Sequence, residues 1–125
     1  MSALPRRRRL DRGQATVELV LVLPLVFALV LAVAQVAVVA RAHVLVGAAA
    51  RDAARAAAVG DVAGARQAAL DGSGLDPART EVDVDVGATV VTARVRYRDP
   101  TTVPIVGRLV GDVTVGATVV MRRER

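Results

Sequence analysis

An uncharged apolar run of helical length constrains this chain more than any other feature. It extends from Leu19 to Ala40, consists mostly of Leu, Val and Ala, and contains one polar residue, Gln35. As a helix that rises about 1.5 Å per residue, the run would be about 33 Å long, enough to cross a hydrocarbon core of about 30 Å. A single helix also satisfies its own backbone hydrogen bonds, as a bilayer requires. The run therefore predicts one transmembrane helix.

Charges on either side of the run predict its orientation. Before the run stand Arg6, Arg7, Arg8, Arg9 and Arg12, and after it Arg41, Arg51 and Arg55. Basic residues are retained on the cytoplasmic side of a membrane. We therefore expect a cytoplasmic N-terminus and an extracytoplasmic C-terminal domain. Pro24, near the start of the run, removes one helical hydrogen bond and clashes with the preceding turn, which predicts a bend there.

Glu18 is a lone carboxylate immediately before the apolar run. On insertion scales a charged side chain at the centre of a membrane helix costs roughly 3 kcal/mol, so a carboxylate at this place requires an explanation. Glu18 is the fifth residue after Gly13, with basic residues before the glycine and an apolar helix after the glutamate. This layout resembles a type IV prepilin signal.

More narrowly, the stretch RGQATVELVLVLP, from Arg12 to Pro24, resembles the opening of the TadE-like family, minor pseudopilins of the tight-adherence (Tad, Flp) pilus system. A looser similarity continues through the Ala-rich stretch 48–58 and returns at 104–124. The resemblance implies a minor pilus component of the cell membrane that acts in assembly or adhesion. Its implied partners are other pilins, a secretion ATPase and inner-membrane platform proteins, with a prepilin peptidase if the chain is processed.

Three interpretations of the N-terminal segment remain open. In the first, the chain is cut between Gly13 and Gln14, and Glu18 pairs with a cation such as the new terminal amine of a neighbouring subunit. In the second, the chain is an uncleaved anchor whose Glu18 lies in the headgroup layer. In the third, the segment is a secretory signal cut before Gln35, after the small residues 32–34. The second and third correspond to an anchored or secreted binding module unrelated to pili.

The remainder of the 125 residues has room for one small domain. We expect a leader at 1–13, a transmembrane segment at 14–40 and an extracytoplasmic head at 41–125. The head has no cysteine and hence no disulfide. Although the formal net charge is +5, five arginines precede the possible cut, and aromatic residues make up only 2% of the chain. Nucleic-acid binding is therefore not expected.

The head is predicted to combine a helix with a sheet. The stretch 41–59 indicates a helix whose charges Arg51, Asp52 and Arg55 lie on one side. Its opposite face is small and apolar, and consists of Val44, Ala48, Ala50, Ala54, Ala57 and Ala58. Asp61 is expected to cap a second short helix that extends to about Leu70.

Alternating residues then predict three strands, within 81–86, 91–98 and 113–121. A turn at Gly87-Ala88 would place Val84 opposite Val91 and Glu81 opposite Arg94. The fold class is therefore α+β, with a long N-terminal helix packed on a small three-stranded antiparallel sheet, most simply a meander.

No residue pattern indicates catalysis or a cofactor. Ser73 lies between glycines, far along the chain from His43, the only histidine. Three carboxylates on the first strand are expected to pair with arginines of the second rather than to bind metal; they are Glu81, Asp83 and Asp85, and they face Arg94, Arg96 and Arg98. We therefore expect no enzyme activity, no cofactor, no metal and no small-molecule substrate.

Overall fold

The structure is a computed structural model that describes residues 8–100 and 106–124. Its helices and strands are α1 (Arg8–Ala58), α2 (Ala65–Leu70), a 3-10 turn (Pro77–Arg79), β1 (Thr80–Val86), β2 (Val90–Asp99), α3 (Val106–Val110) and β3 (Val113–Arg122). The strands form one antiparallel sheet in the order β1-β2-β3. The predicted α+β class and the meander are confirmed.

One continuous helix, α1, contains both the predicted membrane span and the predicted Ala-rich continuation. It ends at Ala58, and Gly60, two residues beyond, has a φ of +99°. The Gly60 amide donates to the Ala57 carbonyl at 3.1 Å, and the Asp61 amide donates to the Ala56 carbonyl at 3.0 Å. This pair of bonds is a Schellman motif, in which a left-handed residue, usually glycine, ends the helix.

The predicted cap of α2 is wrong. Asp61 was expected to begin this helix, but α2 begins at Ala65 and has Gly64 at its N-cap. The Asp61 carboxylate instead accepts a hydrogen bond from the Gly64 amide at 2.8 Å. The Asp61 carboxylate therefore stabilises the turn that precedes α2 and does not accept a hydrogen bond from an amide of α2 itself.

The predicted register of the β1–β2 hairpin is wrong by two residues. Val84 lies opposite Ala93 rather than Val91. The Gly87 amide donates to the Val90 carbonyl at 2.8 Å, so the two-residue turn is 88–89 and not 87–88. Moving the turn by one residue shifts every pair by two, an even number, so each side chain stays on its predicted face.

The core lies between α1 and one face of the sheet. The helix contributes Ala42, Val46, Ala49, Ala50, Ala53, Ala54 and Ala57, and the sheet contributes Val91, Ala93, Val95 and Val115. Because the helical side chains are mostly alanines, the sheet approaches the helix closely, and the fully buried volume comes from valines. Arg51, Asp52 and Arg55 are exposed, as expected.

The prediction that the small apolar face of α1 is buried is wrong for two of its residues. Val44 is 69% exposed, and Ala48 is only half-buried. The buried face instead runs through Ala42, Val46 and Ala49, at intervals of three and four residues. Since two residues turn a helix by about 200°, burial of Val46 places Val44 on the far side.

The residues after β3 are hydrogen-bonded to the end of α1 and to the turn between β1 and β2. β3 pairs with β2 along its whole length, from Asp99 opposite Val113 to Val90 opposite Arg122. Beyond β3, the Glu124 amide donates to the Ala58 carbonyl at 3.1 Å. The sequence pattern predicted no helix between β2 and β3, but the described end of this connection is helical, as α3.

Candidate functional site

The N-terminal part of α1 is exposed on every side. From Gly13 to Val30 every residue is exposed, and the most apolar window has a mean hydropathy of 2.8. A helix that is apolar all round is stable only when lipid or other helices cover it. Among the described residues, α1 is the one helix that is long and apolar enough to cross a membrane. Its place near the N-terminus fits a single-pass anchor.

Glu18 lies exposed on this part of α1 without a cation beside it. On a helix surface the neighbours of a residue are three and four positions away. Those neighbours of Glu18 are Gln14, Ala15, Leu21 and Val22, and none of them is basic. Among the ion pairs formed by described side chains, none includes Glu18. Any cation that pairs with this carboxylate would therefore belong to a side chain that the structure does not describe or to another molecule.

Gly13 and Gln14 lie inside α1, in its second turn. A Cβ atom added at Gly13 would meet no heavy atom within 4 Å, so packing does not require a glycine there. Glycine weakens a helix by about 1 kcal/mol relative to alanine. Cleavage between these residues would require local unwinding, which the glycine favours.

Pro24 is also inside α1, and the helix continues through it. The predicted bend at this position stays a prediction. Of the basic residues expected to orient the segment, Arg6 and Arg7 lie outside the described residues. Arg8, Arg9 and Arg12 belong to the first turns of α1, and their role in orientation also stays a prediction.

Partial burial of α1 begins within the predicted span. Leu31, Gln35, Val38 and Val39 are half-buried and lead along one side of the helix to the buried Ala42. The Oε1 atom of Gln35 is buried and accepts no hydrogen bond from any group in the described ranges. Gln35 is recognisable in the sequence as the only polar residue of the apolar run, but the sequence did not predict that its side chain is buried.

The outer face of the sheet carries the charged residues. Arg96 lies opposite Glu81, where Arg94 was expected. Its guanidinium contacts the carboxylate of Glu81 at 3.8 Å and that of Asp83 at 3.5 Å. The expected cross-strand ion pairing is confirmed for this arginine. Within residues 8–100 and 106–124, no group of His, Asp or Glu side chains has the arrangement of a metal site.

Comparison with known proteins identifies part of the chain. The family model described as "TadE-like protein" matches residues 13–55, about a third of the sequence. No curated protein and no solved structure matches the chain. The matched range contains the exposed apolar helix, Glu18 and most of the alanine face that packs on the sheet. A TadE-like domain suggests a protein associated with the Tad pilus. Over residues 13–55 this chain matches the TadE-like family model, as the motif around Glu18 predicted.

Proposed function

We propose that this protein is a membrane-anchored minor pseudopilin of a Tad-type pilus system, with a non-catalytic role in assembly or adhesion. The observation that carries the proposal is the lone carboxylate of Glu18 in the apolar part of α1, where no other described part of the chain covers residues 13–30. The match to the TadE-like family over the same residues supports it.

The mechanism is assembly through α1. In a medium of low dielectric constant an isolated carboxylate is expensive, whereas a carboxylate paired with a cation is tolerated. Such a pair also sets the axial position of one helix against the next, because only one stagger brings the two charges together. A terminal amine created by a cut before Gln14 would supply the cation, and a basic group of another pilin would act in the same way.

The orientation follows from the arginines before the span. We propose that the N-terminus is cytoplasmic, that the head lies outside the cell membrane, and that other pilins and the inner-membrane assembly platform are its partners. A prepilin peptidase is a further partner if the chain is processed. The apolar packing of the sheet on the alanines of α1 would hold the head directly above the membrane.

The experiment that tests the proposal compares Glu18→Gln with Glu18→Asp in the native host. The glutamine keeps the size of the side chain and removes its charge, whereas the aspartate keeps the charge. We expect Glu18→Gln to lower co-purification with the pilus machinery, and Glu18→Asp to retain most of it. Membrane content and the mature N-terminus are measured for each variant, so that a defect in insertion or processing is recognised as such.

Normal incorporation of Glu18→Gln, at equal membrane content, would contradict charge pairing. It would leave an anchor whose carboxylate lies among lipid headgroups.

A binding role of the head is the second candidate. The observation that favours it is an open concavity of about 440 Å³ on the outer face of the sheet, lined by arginines and polar groups that include Arg79, Arg96, Arg98 and Thr114. Arg98→Gln would then reduce attachment of cells to surfaces while leaving incorporation into the machinery unchanged. A loss of incorporation in Glu18→Gln but no effect of Arg98→Gln favours the assembly role alone.

A further inference from the structure

The two ends of the sheet lie at different heights along α1. At one end, Tyr97 and Asp99 of β2 line a concavity of about 190 Å³ together with Val38 and Arg41 of α1. At the other end, Val90 lines a concavity with Val59, at the far end of α1. The end of the sheet that contains Asp99 is therefore the end nearest to the apolar part of α1.

The short helix α3 is located at this same end. β2 ends at Asp99, β3 begins at Val113 directly opposite it, and α3 belongs to the connection between them. α3 also lies beside α1. Since α3 lies between strand ends at Asp99 and Val113, it approaches α1 on the side of the predicted span and not at its far end.

The length of the apolar part of α1 places this end of the head at the membrane boundary. A span that begins after Glu18 needs about 20 residues to cross a hydrocarbon core of about 30 Å, and so it reaches Val38. Val38 and Arg41 line the concavity at the Asp99 end of the sheet. Elements at this end of the head would therefore lie in the interfacial layer of the membrane.

α3 has the surface chemistry of an interfacial segment. Leu109 is 82% exposed, more than any other large apolar side chain among the described residues, including those of the span itself. Arg108, its neighbour, is exposed as well. An exposed leucine beside an arginine fits the membrane interface, where the apolar group enters the acyl boundary and the guanidinium remains among phosphates.

We propose that α3 is a second membrane contact of this protein, through which Leu109 and Arg108 hold the head against the lipid surface on the head side of the bilayer. The proposal rests on the membrane anchoring of α1 proposed above. Its consequence is mechanical: a head attached to the membrane at α1 and again at α3 is restricted in tilt, and the direction in which it presents the outer face of its sheet is set.

The test uses single labels on the full-length chain. Because the sequence contains no cysteine, Leu109→Cys, Phe27→Cys and Val59→Cys each provide one site for an environment-sensitive fluorophore. All three native side chains are exposed, so the label is not expected to disturb packing. The proteins are reconstituted at low density in vesicles of phosphatidylcholine and phosphatidylglycerol, with nitroxide lipids that quench either near the headgroups or deep in the acyl layer.

We expect loss of emission from Leu109→Cys with the shallow quencher, from Phe27→Cys with the deep quencher, and from Val59→Cys with neither. If Phe27→Cys is quenched and Leu109→Cys behaves like Val59→Cys, the second contact is refuted while the anchor stands. If Phe27→Cys is not quenched, the anchor and the second contact are both refuted.

A second copy of the chain is the competing occupant of Leu109. In that case the label at this position would be shielded only at high protein density and would not respond to the shallow quencher. That result would overturn the assignment to lipid.

Discussion

Glu18 and Arg41 bracket the uncharged part of α1, and helical rise places their Cα atoms about 35 Å apart. This separation slightly exceeds a hydrocarbon core of about 30 Å, so the two charges match the two boundaries of a bilayer. The head begins at the Arg41 end, where Ala42 is the first fully buried residue of α1. In such a bilayer Glu18 would lie at the opposite boundary, away from the described residues of the head.

Processing is the first property to measure. We expect mature protein from the membrane fraction of the native host to begin at Gln14, by intact mass and terminal peptide mapping. A product that begins at Gln35 in the culture fluid would mean a secreted domain and would end the pseudopilin proposal. An intact leader in the membrane would leave a TadE-like anchor, and the partner of Glu18 could not then be a new terminal amine.

Replacement of the glycine that ends α1 should destabilise the head. Gly60 has a φ of +99°, where a side chain is strained, so Gly60→Ala should lower the free energy of unfolding by about 1 kcal/mol. Gly47→Ala is the matched control, because an added Cβ there would meet only the Arg51 side chain at 3.8 Å. Gly47→Ala should instead raise the free energy of unfolding by roughly 0.5–1 kcal/mol, because alanine favours the helix more than glycine does.

Both variants can be followed in detergent by tyrosine fluorescence. Tyr97 is the only tyrosine, the chain contains no tryptophan, and Tyr97 packs against the core of the head. Equal stability of Gly60→Ala and the parent protein would show that α1 does not end in the left-handed conformation described above.

Enlargement of the alanine face should also be destabilising. Ala53 is fully buried between α1 and the sheet, so Ala53→Leu should lower the free energy of unfolding by about 1–3 kcal/mol through overpacking. Asp52→Leu places the same side chain one residue away, on the exposed side, where an effect within about 0.5 kcal/mol is expected. Thermal unfolding monitored at Tyr97 compares them, and similar midpoints for the two variants would contradict the close helix–sheet contact.

The ion pairs of the outer sheet face should contribute little to stability. Arg96 and its partners Glu81 and Asp83 are each more than half exposed. Removing the charge with Arg96→Gln should therefore lower the free energy of unfolding by less than about 1 kcal/mol, and the difference should shrink as salt is added.

Arg94→Gln is the comparison for this variant. Arg94 lies directly opposite Asp83, yet among the described residues Asp83 forms its ion pair with Arg96. We expect a smaller change than for Arg96→Gln at low salt. A larger loss in Arg94→Gln would mean that the strand register, rather than the observed contact, determines the pairing.

Local patterns were sufficient for the long helix and the strands of this fold. An uncharged apolar run and an Ala-rich continuation both favour a helix, and α1 contains both without a break. Alternation of apolar and polar residues likewise predicts strands and assigns faces, so the hairpin kept its faces although its register was wrong. The motif around Glu18 was sufficient to predict the TadE-like segment that the family model matches.

Contacts between elements decided the rest. Gly87 and Ala88 suit a two-residue turn, but the turn lies at 88–89. The register of β1 on β2 that results is the one observed in the sheet that also contains β3 and packs on α1. The buried face of α1 passes through Val46 and not Val44, because residues two apart on a helix point in different directions and only the docked sheet selects one of them.

The sequence by itself determined α1 and the three strands, and it located Glu18 at the start of a run of membrane length, because these features depend on neighbouring residues. Only the tertiary structure decided the hairpin register, the buried face of α1 and the position of α3 at the Asp99 end of the sheet. These depend on which distant surfaces meet, and a helix rich in small apolar side chains offers more than one face to a sheet.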